Sequence, residues 1–456
     1  MNRKFKTPDY AAVLHQTISL DEALPTGHLA RYVVEIIAQL DLSCIYRHYA
    51  AIGGEAFAPE ILLALLFYGY ATGVFSSRKL ERATYESLPM RYVASGEHPD
   101  HDTLANFRKT FLAELPGLFV QILVWAQAAG VLKLGNISLD GSKLHADASK
   151  SHAVSHKRLV ELEAQWKQEI QALLALGDQA ERGEQILPDG LVVQDEVARR
   201  QDRLANLARA KAVLEARAQE RYAQEQAAYE AKLREREAKA QATGRKPGGR
   251  APQPPEPGPR DTDQYNFTDP ESRIMKNSAN SGFDQHYNAQ VAVDQDSCLI
   301  VGHSLSNHPN DTAEAEPTLA AMSPALGKPA AGTADNGFWS KANCEAFAKR
   351  GIEAYIATGR EPHHQSWEAF FAEYATPPAD DASPIVKMAY KLKTAIGQAI
   401  YRLRKCTVEP VIGIIKEVLG FRQFSLRGIA AAAGEWCLVC LAFNLKRLHI
   451  LMAEVA

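Results

Sequence analysis

From about His156 to Arg245 the chain is rich in Ala, Glu, Gln, Lys and Arg, a composition that suits helix and little else. Leu159, Leu162, Trp166, Ile170 and Leu173 recur at 3–4 spacing; Val197, Leu204, Leu207 and Leu214 do so again, continued less regularly by Tyr222 and Leu233. The break from Gly177 to Leu191, with Pro188-Asp-Gly190, divides the stretch into two long helices, and an antiparallel helical hairpin is the natural reading. Both signs of charge alternate along it, so most of its surface is solvated. A proline- and glycine-rich linker, Lys246 to Pro259, follows. Hairpin and linker, 156–262, are read as an insertion, and what lies on either side must combine into the rest of the fold.

A chain of 456 residues holds two or three domains and buries a large core. A formal net charge of −3 excludes a uniformly basic nucleic-acid coat and leaves room for a local basic patch. The six cysteines are scattered and read as reduced thiols. Cys437 and Cys440 form a CxxC inside the apolar run Trp436–Phe443, with no second CxxC at zinc-ribbon spacing, so a buried helix face is expected there. No apolar h-region follows the basic residues of Met1–Lys6, and no uninterrupted apolar run approaches about 18 residues. The expectation is a soluble cytoplasmic protein without a membrane segment.

Residues 1–130 read as a helical N-terminal domain. Leu29, Val33, Ile36, Ile37 and Leu40 share one helix face, and Pro59–Tyr70 is apolar nearly all round, as a core helix is. Ser76 or Ser77 caps a helix carrying Arg78, Lys79 and Arg82; Asp102 or Thr103 caps one carrying Arg108 and Lys109. Cationic side chains near free helix-start N–H groups suit phosphate contacts, although a solvated surface helix looks the same in sequence.

Beyond these helices the pattern alternates. In Asn136–Asp140, Ile137 and Leu139 face one way and Ser138 and Asp140 the other, with Gly141 allowing a partner to come close. Tyr287–Asp294 and Cys298–Leu305 read as a strand pair, Asp311–Ala325 as a helix, Ala330–Asp335 as a buried strand, Ser340–Arg350 as a helix and Ile352–Ala357 as a strand. A loop with Pro377 and Pro378 leads into helices that run to the end. Around Glu409, Thr407 reads as an N-cap with Pro410 in the first turn, and Lys416 on the same face.

Without the insertion, this is the element order of an RNase H-like domain, α+β/α/β in class, over 131–155 and 263–430, closed by a C-terminal helix over 431–456. In that fold the first and fourth strands lie side by side, which brings Asp140 to Asp335, with Glu409 approaching from a helix. Three clustered carboxylates repel unless a cation holds them, and two Mg²⁺ ions about 3.5–4 Å apart use such a set for in-line phosphoryl transfer. Taken singly, Asp140 is also a turn cap and Glu409 a structural salt bridge. Asp147, Asp294, Asp311 and Glu435 are weaker candidates: Asp294 suits a hairpin turn, and Glu435 has Arg427 as an available partner. His145 is read as structural.

Tyr401-Arg-Leu-Arg-Lys-Cys-Thr-Val-Glu-Pro-Val-Ile-Gly-Ile-Ile-Lys416, followed by Gly420–Gly428, resembles the C-terminal signature of bacterial insertion-sequence DDE transposases, nearest the IS1182-like group of the IS4/IS5 type. Tyr401, Arg404, Glu409 and Lys416 match its residue types. The arginine-to-glutamate gap is one residue longer than usual, which leaves Lys405 as an alternative holder of the arginine's place, and Ile412 stands where the family has Phe. Asp140-Gly-Ser-Lys143, His286-Tyr-Asn-Ala-Gln290 and Asp335-Asn-Gly-Phe338 are similar to three further family motifs, each with one substitution, and Gly73–Lys79 and Pro99–Thr103 resemble its N-terminal domain.

The resemblance implies catalytic, metal-binding Asp140, Asp335 and Glu409, with Mg²⁺ as cofactor and Mn²⁺ as a substitute. It implies DNA as partner, both terminal inverted repeats and target, and a homodimer or larger synaptic assembly on the bacterial nucleoid. Arg78, Lys79, Arg108, Lys143, Tyr401, Arg404, Lys405, Lys416, Arg422 and Arg427 are the residues expected on DNA. The alternatives are an inactive or repurposed DNA-binding protein, and a metal-dependent nuclease that cuts without joining.

Overall fold

The computed structural model describes residues 17–49, 54–244, 248–277, 282–359 and 377–455. Met1–Lys6 and part of the loop expected before Pro377 lie outside them. The chain divides into two compact units, Met1–Asp147 with Arg273–Ala456, and Ala148–Ser272.

The first unit begins with helices. In α1 (Leu29–Ile37) the expected face is buried through Ala30, Val33, Ile36 and Ile37. In α2 (Pro59–Ala71) proline takes the first turn, where its missing N–H costs nothing, and every residue from Leu62 to Ala71 is buried. Helix α3 spans Ser77–Glu86 after Ser76, whose hydroxyl makes no capping bond. Helix α4 (His101–Thr110) is capped by Asp100, which accepts from the Thr103 N–H at 2.8 Å, so the cap lies ahead of the expected Asp102 or Thr103. Helix α5 is Leu115–Ala128, and β1 is Asn136–His145.

The second unit holds α6 (His156–Glu181), capped by Ser155, and α7 (Val193–Thr243). They pack on each other through Leu159, Leu207, Ala210 and Leu214, with Leu162, Trp166 and Leu204 beside them. A strand pair, Ala153–Ser155 with Gln264–Asn266, closes the base. Helix α7 has 51 residues against 26 in α6, and the returning linker lies along its far part, where Arg260 pairs with Glu225 and Arg236 donates to the Gly248 and Arg250 carbonyls.

The chain returns to the first unit with β2 (Phe283–Asp294) and β3 (Ile300–Ser306), then α8 (Ala315–Ala320), β4 (Ala331–Ala334), α9 (Lys341–Lys349) and β5 (Glu353–Ile356). The sheet runs β3-β2-β1-β4-β5, with a short edge strand, Arg273–Lys276, also on β2. Strand β2 is antiparallel to β1 and to β3; β4 is parallel to β1 and β5 to β4. Strand β4 is small because α9 presses on it: a Cβ at Gly332 would stand 2.4 Å from the Phe347 ring. The helix expected over Asp311–Ala325 is shorter, since Thr312 turns back onto the Asn310 side chain and holds the chain before α8 in a loop.

Four helical segments end the chain: α10 (Pro384–Lys393), α11 (Ala395–Arg402), α12 (Arg404–Gly413), running on into a π turn at Ile414–Val418, and α13 (Ile429–Val455). Helix α12 starts three residues before Thr407, so Thr407 is not its cap: its hydroxyl donates to the Leu403 carbonyl, and Pro410 lies inside the helix. Helix α13 packs on α2, α5 and β3, which joins the N-terminal helices and the sheet in one unit. It is long and apolar enough to cross a membrane, yet 61% of its most apolar window is buried in the fold, as in a core helix. Cys437 and Cys440 lie on its buried side as expected, and burial pushes the Cys437 thiol up to about 12.

Candidate active site

Asp140 stands midway along β1, between β2 and β4. Ser138, two residues earlier on the same face, is fully buried and receives three neighbours: Thr333 of β4 at 2.9 Å, Gln295 after β2 at 2.9 Å and Thr407 of α12 at 3.1 Å. This hydroxyl–amide network ties α12 to the centre of the sheet and sets Glu409, two residues beyond Thr407, within reach of the guanidinium that also holds Asp140. The sequence reading missed it. The available signal was a cluster of small polar residues, Ser138, Thr333 and Thr407, each two residues from an acid.

Arg404 occupies the middle of the site. Its guanidinium donates to Asp140 Oδ2 at 2.7 Å and to Glu409 Oε1 at 2.7 Å, and lies 4.0 Å from Asp335 Oδ2. Three acids from β1, from the turn after β4 and from α12 thus gather on one cation. Exposure rises outward, from 9% for the Arg404 side chain and 16% for Asp140 to 36% for Asp335 and 46% for Glu409. Burial raises the Asp140 pKa to about 7; Arg404 opposes that rise and Asp335 and Glu409 add to it. For Arg404, burial pulls the pKa down but the acids, Asp140 foremost, outweigh it and leave it raised. Asp335 is held by its own turn, accepting from the Gly337 N–H at 2.9 Å.

The remaining expected residues divide into two groups. Lys416 reaches Ser142 Oγ at 3.1 Å, two residues along β1 from Asp140. Arg78, Lys79 and Lys405 are exposed, and Lys143 and Tyr401 are half-buried. Arg422 is exposed and paired with Glu417; Arg427 is exposed and paired with Asp147 at 2.8 Å. Two of the expected residues face inward. Arg108 donates to Tyr70 Oη at 2.8 Å and to the Phe75 carbonyl, 3.9 Å from the buried Glu435. Arg404 is turned inward onto the acids rather than outward to a phosphate. Glu435 in turn takes Tyr70, Ser425 and the Leu426 N–H as partners, not Arg427. His145 stacks on His286 with ring centres 4.4 Å apart, in keeping with a structural role.

Among the described residues, no three Asp, Glu, His or Cys side chains stand close enough together to hold an ion as they are. Arg404 stands between the acids. Their chemistry nevertheless fits a hard divalent cation: all donors are carboxylate oxygens, three acids face one guanidinium, and the outer two are open to solvent. Asp140, Asp335 and Glu409 would hold it.

Two families match the chain. A transposase domain (DUF772) matches residues 18–110, and a transposase DDE domain matches residues 382–449. The chain carries two transposase domains, the second of the DDE type. Glu409, Arg404, Tyr401 and Lys416 lie within the second match; Asp140 and Asp335 lie outside both. No curated protein and no solved structure matches. Transposases act on DNA, cutting and joining it, and the DDE family normally uses divalent metals.

Proposed function

We propose that this DDE transposase, of the IS1182-like group, binds the terminal inverted repeats of its insertion sequence, cleaves the ends and joins them to target DNA. The observation that carries the proposal is the meeting of Asp140, Asp335 and Glu409 around Arg404, from positions far apart in the chain. The strand order, with an antiparallel β2 and a parallel β4 flanking β1, supports an RNase H-like catalytic domain.

Divalent ions held by the three acids would supply charge neutralisation and polarise the attacking and leaving oxygens of an in-line phosphoryl transfer. The chain's own groups set up the rest. Asp140 is fixed by the Gly141 N–H at 2.8 Å and by the buried network beneath Ser138, so its oxygens do not have to reorganise. Arg404 balances part of the acids' charge while no other cation is present. Lys416, beside Ser142, offers an ammonium at the rim of the acids, where a scissile phosphate would lie. Arg78, Lys79, Lys143, Lys405, Arg422 and Arg427 would track the DNA backbone, and Tyr401 the strand end, in a dimer or larger assembly that holds two ends.

The test is end cleavage and strand transfer with Mg²⁺ on labelled terminal-repeat DNA, using the parent and Asp140→Asn. Cleavage by the parent, with a loss of about 10³-fold or more in the variant, is expected. Parent-like cleavage by Asp140→Asn overturns the assignment. Cut ends that never enter a target plasmid point to a nuclease without joining.

A further inference from the structure

Asp311 sits in the loop between β3 and α8, and the account above leaves its carboxylate without a role. The side chain turns back over the sheet. Its Oδ1 accepts from Asn288 Nδ2 at 2.8 Å and from Gln290 Nε2 at 2.6 Å, both on β2. Its Oδ2 has no hydrogen-bond partner among the described residues. Gly337 shows where that oxygen lies: a Cβ there would stand 3.1 Å from Asp335 Oδ1 and 3.4 Å from Asp311 Oδ2. Two carboxylates therefore flank one small space, which stays open only because residue 337 has no side chain.

A second observation concerns the amide that holds Asp311. Gln290 is fully buried, and its Oε1 has no hydrogen-bond partner. Gln290 is the cross-strand partner of Gly141, and a Cβ at Gly141 would fall 2.6 Å from that Oε1. The amide thus reaches from Asp311 to the residue beside Asp140, with an unpaired acceptor on the way. A buried acceptor without a donor is costly, and facing carboxylates repel. A cation between the carboxylates relieves their repulsion.

We propose that Asp311 is a fourth carboxylate of the acidic centre and shares a divalent cation with Asp335 in the space over Gly337, with Asn288 and Gln290 fixing its orientation. The inference rests on the metal-dependent reading above and extends it. An all-oxygen donor set at this position selects a hard ion of the Mg²⁺ or Mn²⁺ class. Residue 337 is then glycine because the ion needs the volume a methyl group would take.

The experiment is a Mn²⁺ titration of the full chain without DNA, read by electron paramagnetic resonance of the free ion, with thermal unfolding in metal-free buffer alongside. In Asp311→Asn, which keeps an acceptor for Asn288 and Gln290, Mn²⁺ affinity is expected to fall about 10-fold or more while the metal-free unfolding midpoint holds. Gly337→Ala removes no carboxylate, although its methyl group presses on Asp335 Oδ1, and is expected to weaken binding in the same direction. Parent-like Mn²⁺ affinity in either variant, with binding impaired in Asp140→Asn, overturns the proposal and leaves the metal-dependent reading standing. A parent that binds no Mn²⁺ overturns both.

Discussion

Arg108 and Arg404 are two guanidinium groups of the same unit with side chains equally hidden, at 9% exposure each. Arg108 lies 3.9 Å from one acid, Glu435, which is fully buried; the other partners of Arg108, Tyr70 and the Phe75 carbonyl, are neutral, as are those of Glu435, namely Tyr70, Ser425 and the Leu426 N–H. Charge is balanced one to one and solvent is shut out. Arg404 meets three acids, two of them open to solvent. The first arrangement is complete as it stands and serves the fold, joining α4 to α2 and α13. The second has excess negative charge facing outward, which a further cation can satisfy. What separates the closed ion site from the open one here is charge balance and access, not burial of the arginine.

The contrast breaks most readily at Arg108. Arg108→Ala leaves Glu435 buried without its cation, and is expected to cost about 3–5 kcal/mol in equilibrium unfolding. Replacing Arg108 and Glu435 together by Met and Leu should recover most of that loss. Arg404→Ala should lower stability by less than the Arg108 variant does, because water can reach Asp335 and Glu409. A larger stability loss at Arg404 than at Arg108 would end the distinction.

A third ionisable group sharpens it by having no counter-charge. His303 packs edge-to-face on Phe119 at 4.9 Å, and burial lowers its pKa to about 4. The unfolded chain then binds the proton more readily, so stability is held above pH about 6.5 and falls as the pH drops toward 4, by about 2–3 kcal/mol. His303→Phe should flatten that part of the pH–stability curve, as chemical denaturation at several pH values would show. Next in size is Thr407→Val, which removes a hydroxyl from the Ser138 network and should cost about 1 kcal/mol of stability by the same measurement, with cleavage falling as Glu409 loses its anchor. Smallest is Arg82→Ala. It breaks an exposed pair with Glu86 on α3, and the unfolding midpoint should not move.

Much of the site was legible in the chain because its parts are locally encoded. Asp140 follows a short alternating strand, Asp335 ends a run of small residues, and Glu409 precedes a proline within a distinctive motif; all three proved to face one another. The choice between Arg404 and Lys405 was not legible, since it depends on where α12 starts. The start lies at Arg404, not at Thr407, because Thr407 is drawn into the buried network with Ser138 and Thr333. Arg108 misled for a related reason: a basic residue in the last turn of an amphipathic helix reads alike whether it meets a phosphate or a buried glutamate 327 positions later, as here. The segment before α8 reads as helix in sequence, and only the fold of Thr312 onto Asn310 makes it a loop.

By itself the sequence determined most of the inventory: the majority of the helices and strands, a long helical stretch that interrupts the rest and lies within the unit Ala148–Ser272, and the acids that are candidates to act. These follow from periodicity and punctuation, which are properties of neighbouring residues. Only the tertiary structure decided the partners: Arg404 among three carboxylates, Arg108 with Glu435, Asp311 facing Asp335 across Gly337. Such pairings depend on strand register and helix packing between residues far apart in the chain, and no local pattern carries that information.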